Sequence, residues 1–364
     1  MKIIIAIDSF KGCLSSADAG QAAALGIREA IPDAQVVIVP VSDGGEGMME
    51  AFTAAMGGTI VSAPCHDPLM RPITANYGIS PDGTTAIVEM AQASGLTLVK
   101  PAERDAWRAT TYGTGELIAD ALRRGCTHLL MGLGGSATTD GGQGMLEAIG
   151  SSRPPQPPLK RGGWEGLQAR FTIASDVKNP LCGPNGAAYV YGPQKGADRA
   201  MAERLDERLR QFADLTARTL GTDYRDVPGA GAAGGLGFAL LAYLNAEMRS
   251  GIDLLMDMVG FDDLLHDADL VVTGEGSADR QTLMGKLPQG ILRRASGHGV
   301  RAVLLAGRVA DREALLDAGF AAVECINPPG SPLSECLQPQ VARRRLATTT
   351  SQLMKTHADF AGKY

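Results

Sequence analysis

Nearly the same eleven residues occur twice in this chain, 97 positions apart. Ser42-Asp43-Gly44-Gly45-Glu46-Gly47-Met48-Met49-Glu50-Ala51-Phe52 returns as Thr139-Asp140-Gly141-Gly142-Gln143-Gly144-Met145-Leu146-Glu147-Ala148-Ile149, with seven identities. Each copy follows an apolar, strand-like run (Val36 to Val41; His128 to Leu133) and leads into a helix-like run. Glycines at such a junction let the backbone reach positive φ and approach a neighbour closely. The helix start that follows carries unpaired N–H groups and a partial positive charge, which suits an anion. Two such junctions point to an α/β chain holding two anions, such as a nucleotide phosphate and a carboxylate.

The surrounding pattern supports alternation of strand and helix. Ile3 to Ile7 is short, continuous and β-branched, as a buried strand is. Ser15 with Asp18 resembles a capping box that opens a helix running to about Ala30. Gln35 to Val41 and Met48 to Met56 repeat the pair, which implies a largely parallel sheet. Ser80-Pro81-Asp82-Gly83 between two β-rich runs then signals a hairpin and an antiparallel element. Leu129 to Leu133, Phe171 to Ser175 and Ala187 to Tyr191 read as further strands, and Asp198 to Leu220 and Ala232 to Glu247 as helices. Alternation resumes from Leu270 with runs at Val303 to Ala306 and Ala321 to Ile326. A first domain interrupted by an insert fits this order. Residues 151 to 166, rich in proline and without periodicity, read as an exposed loop.

Composition narrows the function. Hydrophobic residues make up 45% and charged residues 20%, as in a globular core-forming chain. With 34 Lys and Arg against 40 Asp and Glu, the formal charge of −6 argues against a nucleic-acid footprint. The six cysteines show no C-x-x-C pair and no metal-like histidine neighbours, so a reducing cytoplasm is expected. The apolar run at Met1 to Ile7 is too short for a signal peptide, and no stretch has the length of a membrane span.

Five loops at strand ends could carry chemistry, since open α/β sheets bind ligands there. Asp8-Ser9-Phe10-Lys11 sets an acid and a cation three apart. Gly132 to Gly142 offers five glycines and three hydroxyls, donors enough for a polyphosphate. Asp176 with Asn179 has the oxygen ligands that Mg²⁺ prefers, and Lys195 could meet a transferring phosphoryl group. Gly229-Ala230-Gly231-Ala232-Ala233-Gly234 matches G-x-G-x-x-G, but no buried strand precedes it, so a dinucleotide fingerprint fails. Glu275 and Asp279 leave one strand together and could act as metal ligand and general base. Neither a Walker A loop nor a protein-kinase motif is present.

Taken together, the segments DSFKG, PVSDGGEG, VEMAQASGL, YGTGELI, GLGGSATTDGGQGM, ASDVKNPLCGPNGA, GPQKGA, PGAGAAGGLG and VVTGEG, in that order, resemble the type I glycerate kinase family over nearly the whole chain. The resemblance implies transfer of the γ-phosphoryl of ATP, with Mg²⁺, to glycerate, mostly giving 2-phosphoglycerate. It also implies two α/β domains, a Rossmann-like parallel-sheet domain with a mixed-sheet domain inserted into it and the site between them. On the pattern, the boundaries are 1–64 with 268–364 for the first and 65–267 for the insert. The chain departs from the family pattern in three places. Ile7 replaces a proline, Ser277 replaces the arginine of G-E-G-R, and residues 151–166 replace a longer segment.

Roles follow as expectations. Asp8 or Asp279 orients the acceptor hydroxyl, and Lys11 and Lys195 meet phosphoryl oxygens. Asp176 and Glu275 hold Mg²⁺. Gly134, Gly135, Ser136, Thr138, Asp140 and Gly141, with Gly229, Gly231 and Gly234, cradle ATP. Ser9, Ser42, Asp43, Gly44, Gly45 and Glu46 receive glycerate. A monomer or homodimer free of membrane and nucleic acid is expected. Two rivals remain: an NAD-dependent hydroxy-acid dehydrogenase, and a degenerate homologue that binds glycerate or nucleotide without turnover.

Overall fold

The computed structural model describes residues 1–39, 41, 47–151 and 169–356. Their strands are β1 (Lys2–Ile7), β2 (Gln35–Ile38), β3 (Thr59–His66), β4 (Pro72–Ile79), β5 (Thr85–Glu89), β6 (His128–Gly132), β7 (Arg170–Ala174), β8 (Glu247–Arg249), β9 (Leu270–Ala278), β10 (Arg301–Val309) and β11 (Ala322–Cys325). The chain divides into two compact units, Met1–Asp43 with Ile252–Tyr364, and Gly44–Gly251. The α/β class, with one parallel and one mixed sheet, is as the sequence implied.

The first unit is a parallel sheet of order β11-β10-β9-β1-β2. Its interior strand β1 is the apolar run at the start of the chain, and Ile3, Ile4 and Ile5 are fully buried. Burying each such side chain contributes about 1.5–3 kcal/mol relative to leaving it exposed. Ile3 and Ile5 face a core shared with the helices Ser16–Ala30 and Pro339–Thr356. Those helices approach so closely that a Cβ on Gly26 would lie 2.2 Å from the Ala347 carbonyl oxygen, so only glycine fits there. The helix Ser16–Ala30 starts as its sequence predicts. Ser15 accepts the Asp18 N–H at 3.1 Å and donates its hydroxyl to the Asp18 carboxylate at 2.8 Å. The chain passes from β1 to β2 on one side and later from β9 to β10 to β11 on the other. With right-handed crossovers, that reversal puts helices on both faces. It also makes the gap between β1 and β9 the switch point of the sheet.

The second unit carries the sheet β3-β4-β5-β6-β7-β8. β3 to β5 form an antiparallel meander, and β5 to β8 run parallel. The hairpin expected at Ser80 to Gly83 joins β4 and β5. The main core lies between this sheet and the helices Tyr112–Arg123, Gln143–Ser151 and Ala232–Tyr243. A second cluster forms under the long helix Arg199–Leu220, whose start is capped by Asp198.

Three expectations differ from the structure. Ala187–Tyr191 is a short helix rather than a strand. Ala187 and Ala188 are buried while Tyr189 and Val190 are exposed, which is a helical face and not a period of two. The division between units falls at 43/44 and 251/252 rather than at 64/65 and 267/268. The helix Met48–Ala55 packs on the second unit's sheet, where Glu89 of β5 accepts the Met49 N–H at 3.2 Å. Residues 252–265 stay with the first unit because Arg294 bridges Asp253, Asp257 and Asp262. The predicted helix Ala232 to Glu247 stops at Tyr243, and Glu247–Arg249 becomes β8 beside β7. Most of the proline-rich stretch, residues 152–166, lies outside the described residues.

Candidate active site

In the first unit, the tips of β1 and β9 bring two carboxylates to the switch point. Asp8 directly follows β1, and its N–H donates to the Gly274 carbonyl at 2.9 Å. Its carboxylate is 8% exposed and accepts the Ser9 N–H at 2.7 Å. Glu275 is the next residue of β9 after Gly274, and is 7% exposed. The Thr282 hydroxyl and the Lys286 ammonium, at 2.5 Å and 3.3 Å, donate to its two oxygens. Burial pushes the Glu275 carboxyl above the usual carboxylate range, opposed by Thr282 and Lys286. A carboxylate tuned in that direction can hold a metal or exchange a proton.

Local chemistry shapes the surrounding loops. Phe10 and Leu14 exchange backbone hydrogen bonds at 2.9 Å and bury their side chains, which closes a tight turn and leaves Lys11 exposed. The Ser16 hydroxyl donates to the Ile7 carbonyl at 2.6 Å and fixes the start of the next helix against the β1 tip. Asp279 acts through its neighbour. Its carboxylate accepts the Gln281 N–H at 2.7 Å, while its own N–H donates to the Thr282 hydroxyl at 3.0 Å. Asp279 thus positions the threonine that anchors Glu275, and its side chain is spent as a cap.

These groups open onto a cleft of about 1260 Å³ formed by the first unit alone. Asp8, Lys11, Glu275, Lys286, Arg308 and Arg344 line it, with Ser9 between the first two. The volume exceeds that of ordinary small-molecule pockets and leaves room for a nucleotide beside a small acid. With Arg312 and Arg345, six cations line the cleft around two buried carboxylates, which suits polyanions and a metal ion.

The glycine loops of the second unit are organised differently. Asp140 is 3% exposed and occupies the start of the helix Gln143–Ser151. It accepts the Thr111 N–H and hydroxyl at 2.8 Å each, and the N–H groups of Gly142 and Gly144 at 3.1 and 3.2 Å. Glu89 does the same for the helix Met48–Ala55, and burial raises its pKa. The anion expected at each helix start is therefore a carboxylate of the chain. Ser42, Asp43, Gly44, Gly45 and Glu46 lie outside the described residues.

The two glycine-rich segments expected to cradle ATP pack on each other. Gly141 N–H donates to the Gly234 carbonyl at 3.0 Å. Gly234 has φ +69°, and a Cβ there would meet the Thr138 carbonyl oxygen at 1.9 Å. Ser136, Thr138, Gly141, Gly229 and Gly231 are buried, while Gly134 and Gly135 are exposed. Lys195 is 1% exposed, and its ammonium donates to the Thr138 carbonyl at 2.6 Å. Burial pushes that ammonium down to about 7, partly offset by Asp140. Lys195 thus ties the loop from beneath, where a phosphoryl contact was expected. Asp176, paired with Glu275 for Mg²⁺ on the sequence, is exposed just beyond the end of β7 in the second unit.

Sequence reasoning passed over Lys286, Arg308 and Arg344. Lys286 belongs to no recognised motif, yet it lies near the Glu275 loop in sequence. Nothing local marks the two arginines. The G-x-G-x-x-G segment has no strand before it, as anticipated, and the helical element that follows from Ala232 is kinked by left-handed backbone at Ala233, Gly234 and Gly235.

The model of the glycerate kinase family matches residues 3–157 and 158–358. Glycerate kinase of Bacillus subtilis (strain 168) is 42% identical over 361 residues, covering 93% of each chain. Glycerate 2-kinase of Escherichia coli (strain K12) is 44% identical over 328 residues, covering 85% of this chain and 86% of its own. The crystal structure of a candidate glycerate kinase 2 from Salmonella typhimurium LT2 superposes with a TM-score of 0.84 at 38% identity, covering 99% of this chain and 98% of that one. The chain belongs to the glycerate kinase family.

Proposed function

We propose that the chain transfers the γ-phosphoryl group of ATP to D-glycerate, giving 2-phosphoglycerate and ADP. The observation that carries this reading is the pair Asp8 and Glu275 at the switch point, ringed by Lys11 and Lys286, in a chain of this family. The names of the relatives, one a glycerate 2-kinase, support the acceptor and the position.

Phosphoryl transfer needs positioning and charge neutralisation more than covalent help from the protein. Asp8, fixed by the Ser9 N–H, orients the acceptor hydroxyl and takes its proton as the oxygen bonds to the γ-phosphorus. The bond from that phosphorus to the bridging oxygen breaks, and ADP leaves with the electron pair. Lys11 and Lys286 meet the phosphoryl oxygens. The donor set fits Mg²⁺, which prefers hard oxygens and needs only one or two carboxylates beside substrate phosphates. Glu275, oriented by Thr282, would hold it, and the ion would supply charge neutralisation at the phosphoryl oxygens.

Coupled ADP release with D-glycerate, followed by phosphorus NMR of the product, tests the proposal. Glycerate-dependent ADP formation with a 2-phosphoglycerate resonance is expected. ADP release that ignores glycerate would refute it, and a 3-phosphoglycerate signal would correct the position.

A further inference from the structure

β9 and β10 run parallel with Ser277 and Arg308 in register. Neighbours so paired lie roughly 5 Å apart and project from the same face of the sheet. That face also carries Glu275, two residues earlier on β9 and in register with Ala306. Arg308 therefore stands one strand across and roughly 7 Å further out than the Glu275 carboxylate. Ser277 and Arg308 are both exposed and both line the cleft. The short serine leaves open space beside the longer cation.

Two neighbouring cations of the cleft are already engaged. Arg312 pairs with Glu324 at 2.5 Å, and Arg345 binds Glu335 and Asn327. Arg308 has no hydrogen-bond or ion-pair partner among the described residues. An uncommitted guanidinium inside a cleft is a charged fork awaiting a planar or tetrahedral oxyanion. The Glu275 oxygens are taken by Thr282 and Lys286 instead.

We propose that Arg308 binds the phosphates of the nucleotide in the first unit's cleft, reaching from β10 the place that an arginine at position 277 would fill from β9. The family pattern carries its cation at 277, and here the same charge is delivered across one rung of the ladder. This inference rests on the phosphotransferase reading for its ligand class, a nucleoside triphosphate. It concerns binding of that ligand and not the identity of the acceptor.

The test is calorimetric titration of the full chain with ATP, with and without Mg²⁺ and without glycerate. Three forms are compared with wild type: Arg308→Ser, Arg308→Lys, and the exchange Ser277→Arg with Arg308→Ser. Arg308→Ser is expected to weaken ATP binding about 10- to 100-fold, and the exchange to restore it to within about threefold. Arg308→Lys should keep part of the affinity, because it retains the charge without the fork. Circular dichroism melts establish that each form is folded. Undiminished ATP binding by Arg308→Ser overturns the proposal. So does an exchange variant that melts like wild type yet stays weak. Because no acceptor is present, failure of the glycerate reading leaves this result interpretable.

Discussion

Replacing Lys195 by methionine should remove a specific dependence of stability on pH. The ammonium is 1% exposed, and burial lowers its pKa from 10.5 to about 7. For a lysine this is the reverse of the usual shift, so the sign follows from proton counting. Between pH 7 and 10.5 the unfolded chain holds the proton and the folded chain has released it. Stability therefore rises with pH through that window. The whole displacement corresponds to on the order of 5 kcal/mol, of which about 2 kcal/mol falls between pH 6 and 8.5. That lower window is the useful one. Burial also pushes the Cys65 and Cys182 thiols up to about 12, and unfolded thiols would begin to ionise near 9. Those groups lower stability as pH rises further and would mask the lysine. Loss of the hydrogen bond to Thr138 costs the variant about 1–3 kcal/mol at every pH, so it changes the offset and not the slope. Urea unfolding of both proteins at pH 6, 7, 7.8 and 8.5 provides the comparison. The wild type should gain about 2 kcal/mol more than Lys195→Met across the series. Parallel curves would refute the argument that this cation is held in a dry site by the glycine loop.

Two further substitutions probe the same reasoning. Glu275→Gln keeps the Thr282 contact but removes the charge, and should lower turnover at least about 100-fold in the coupled assay. The raised carboxyl pKa means that holding the charge in the fold costs stability above the unfolded pKa. The variant should accordingly unfold at no lower urea concentration than wild type at pH 7, and a marked loss of stability would contradict the assigned environment. Gly234→Ala places a methyl 1.9 Å from the Thr138 carbonyl at positive φ, and should cost more than about 3 kcal/mol. Gly221→Ala shares the positive φ with open space around it and should cost about 1 kcal/mol. Equal urea midpoints for the two would show that the loops do not pack as described.

Local signals in the sequence proved readable because they depend on neighbours in the chain. Ser15 with Asp18 caps its helix, and Ser80 to Gly83 turns the hairpin, through bonds that span a few residues. The buried strands at Ile3 and Leu129 follow from runs that only a core accommodates. Ala187–Tyr191 misleads because β-branched and aromatic residues in a five-residue run carry no usable period. Whether Met48–Ala55 serves the first or second sheet depends on Glu89, some forty residues away, and is not legible locally. The site divides the same way. Asp8, Lys11 and Glu275 stand out as polar groups at strand tips. Asp140 has the same look, yet its oxygens are consumed by Thr111, Gly142 and Gly144. Arg308 matters only through its register with Ser277, and strand register is a non-local property.

Amide hydrogen exchange with and without ATP, Mg²⁺ and D-glycerate tests most directly whether catalysis belongs to the strand tips of the first unit. Slowed exchange at residues 8–14 and 275–286, by about tenfold or more, is the predicted result. Unchanged rates there, with protection confined to residues 134–142 and 229–235, would contradict it and return the nucleotide to the glycine loops.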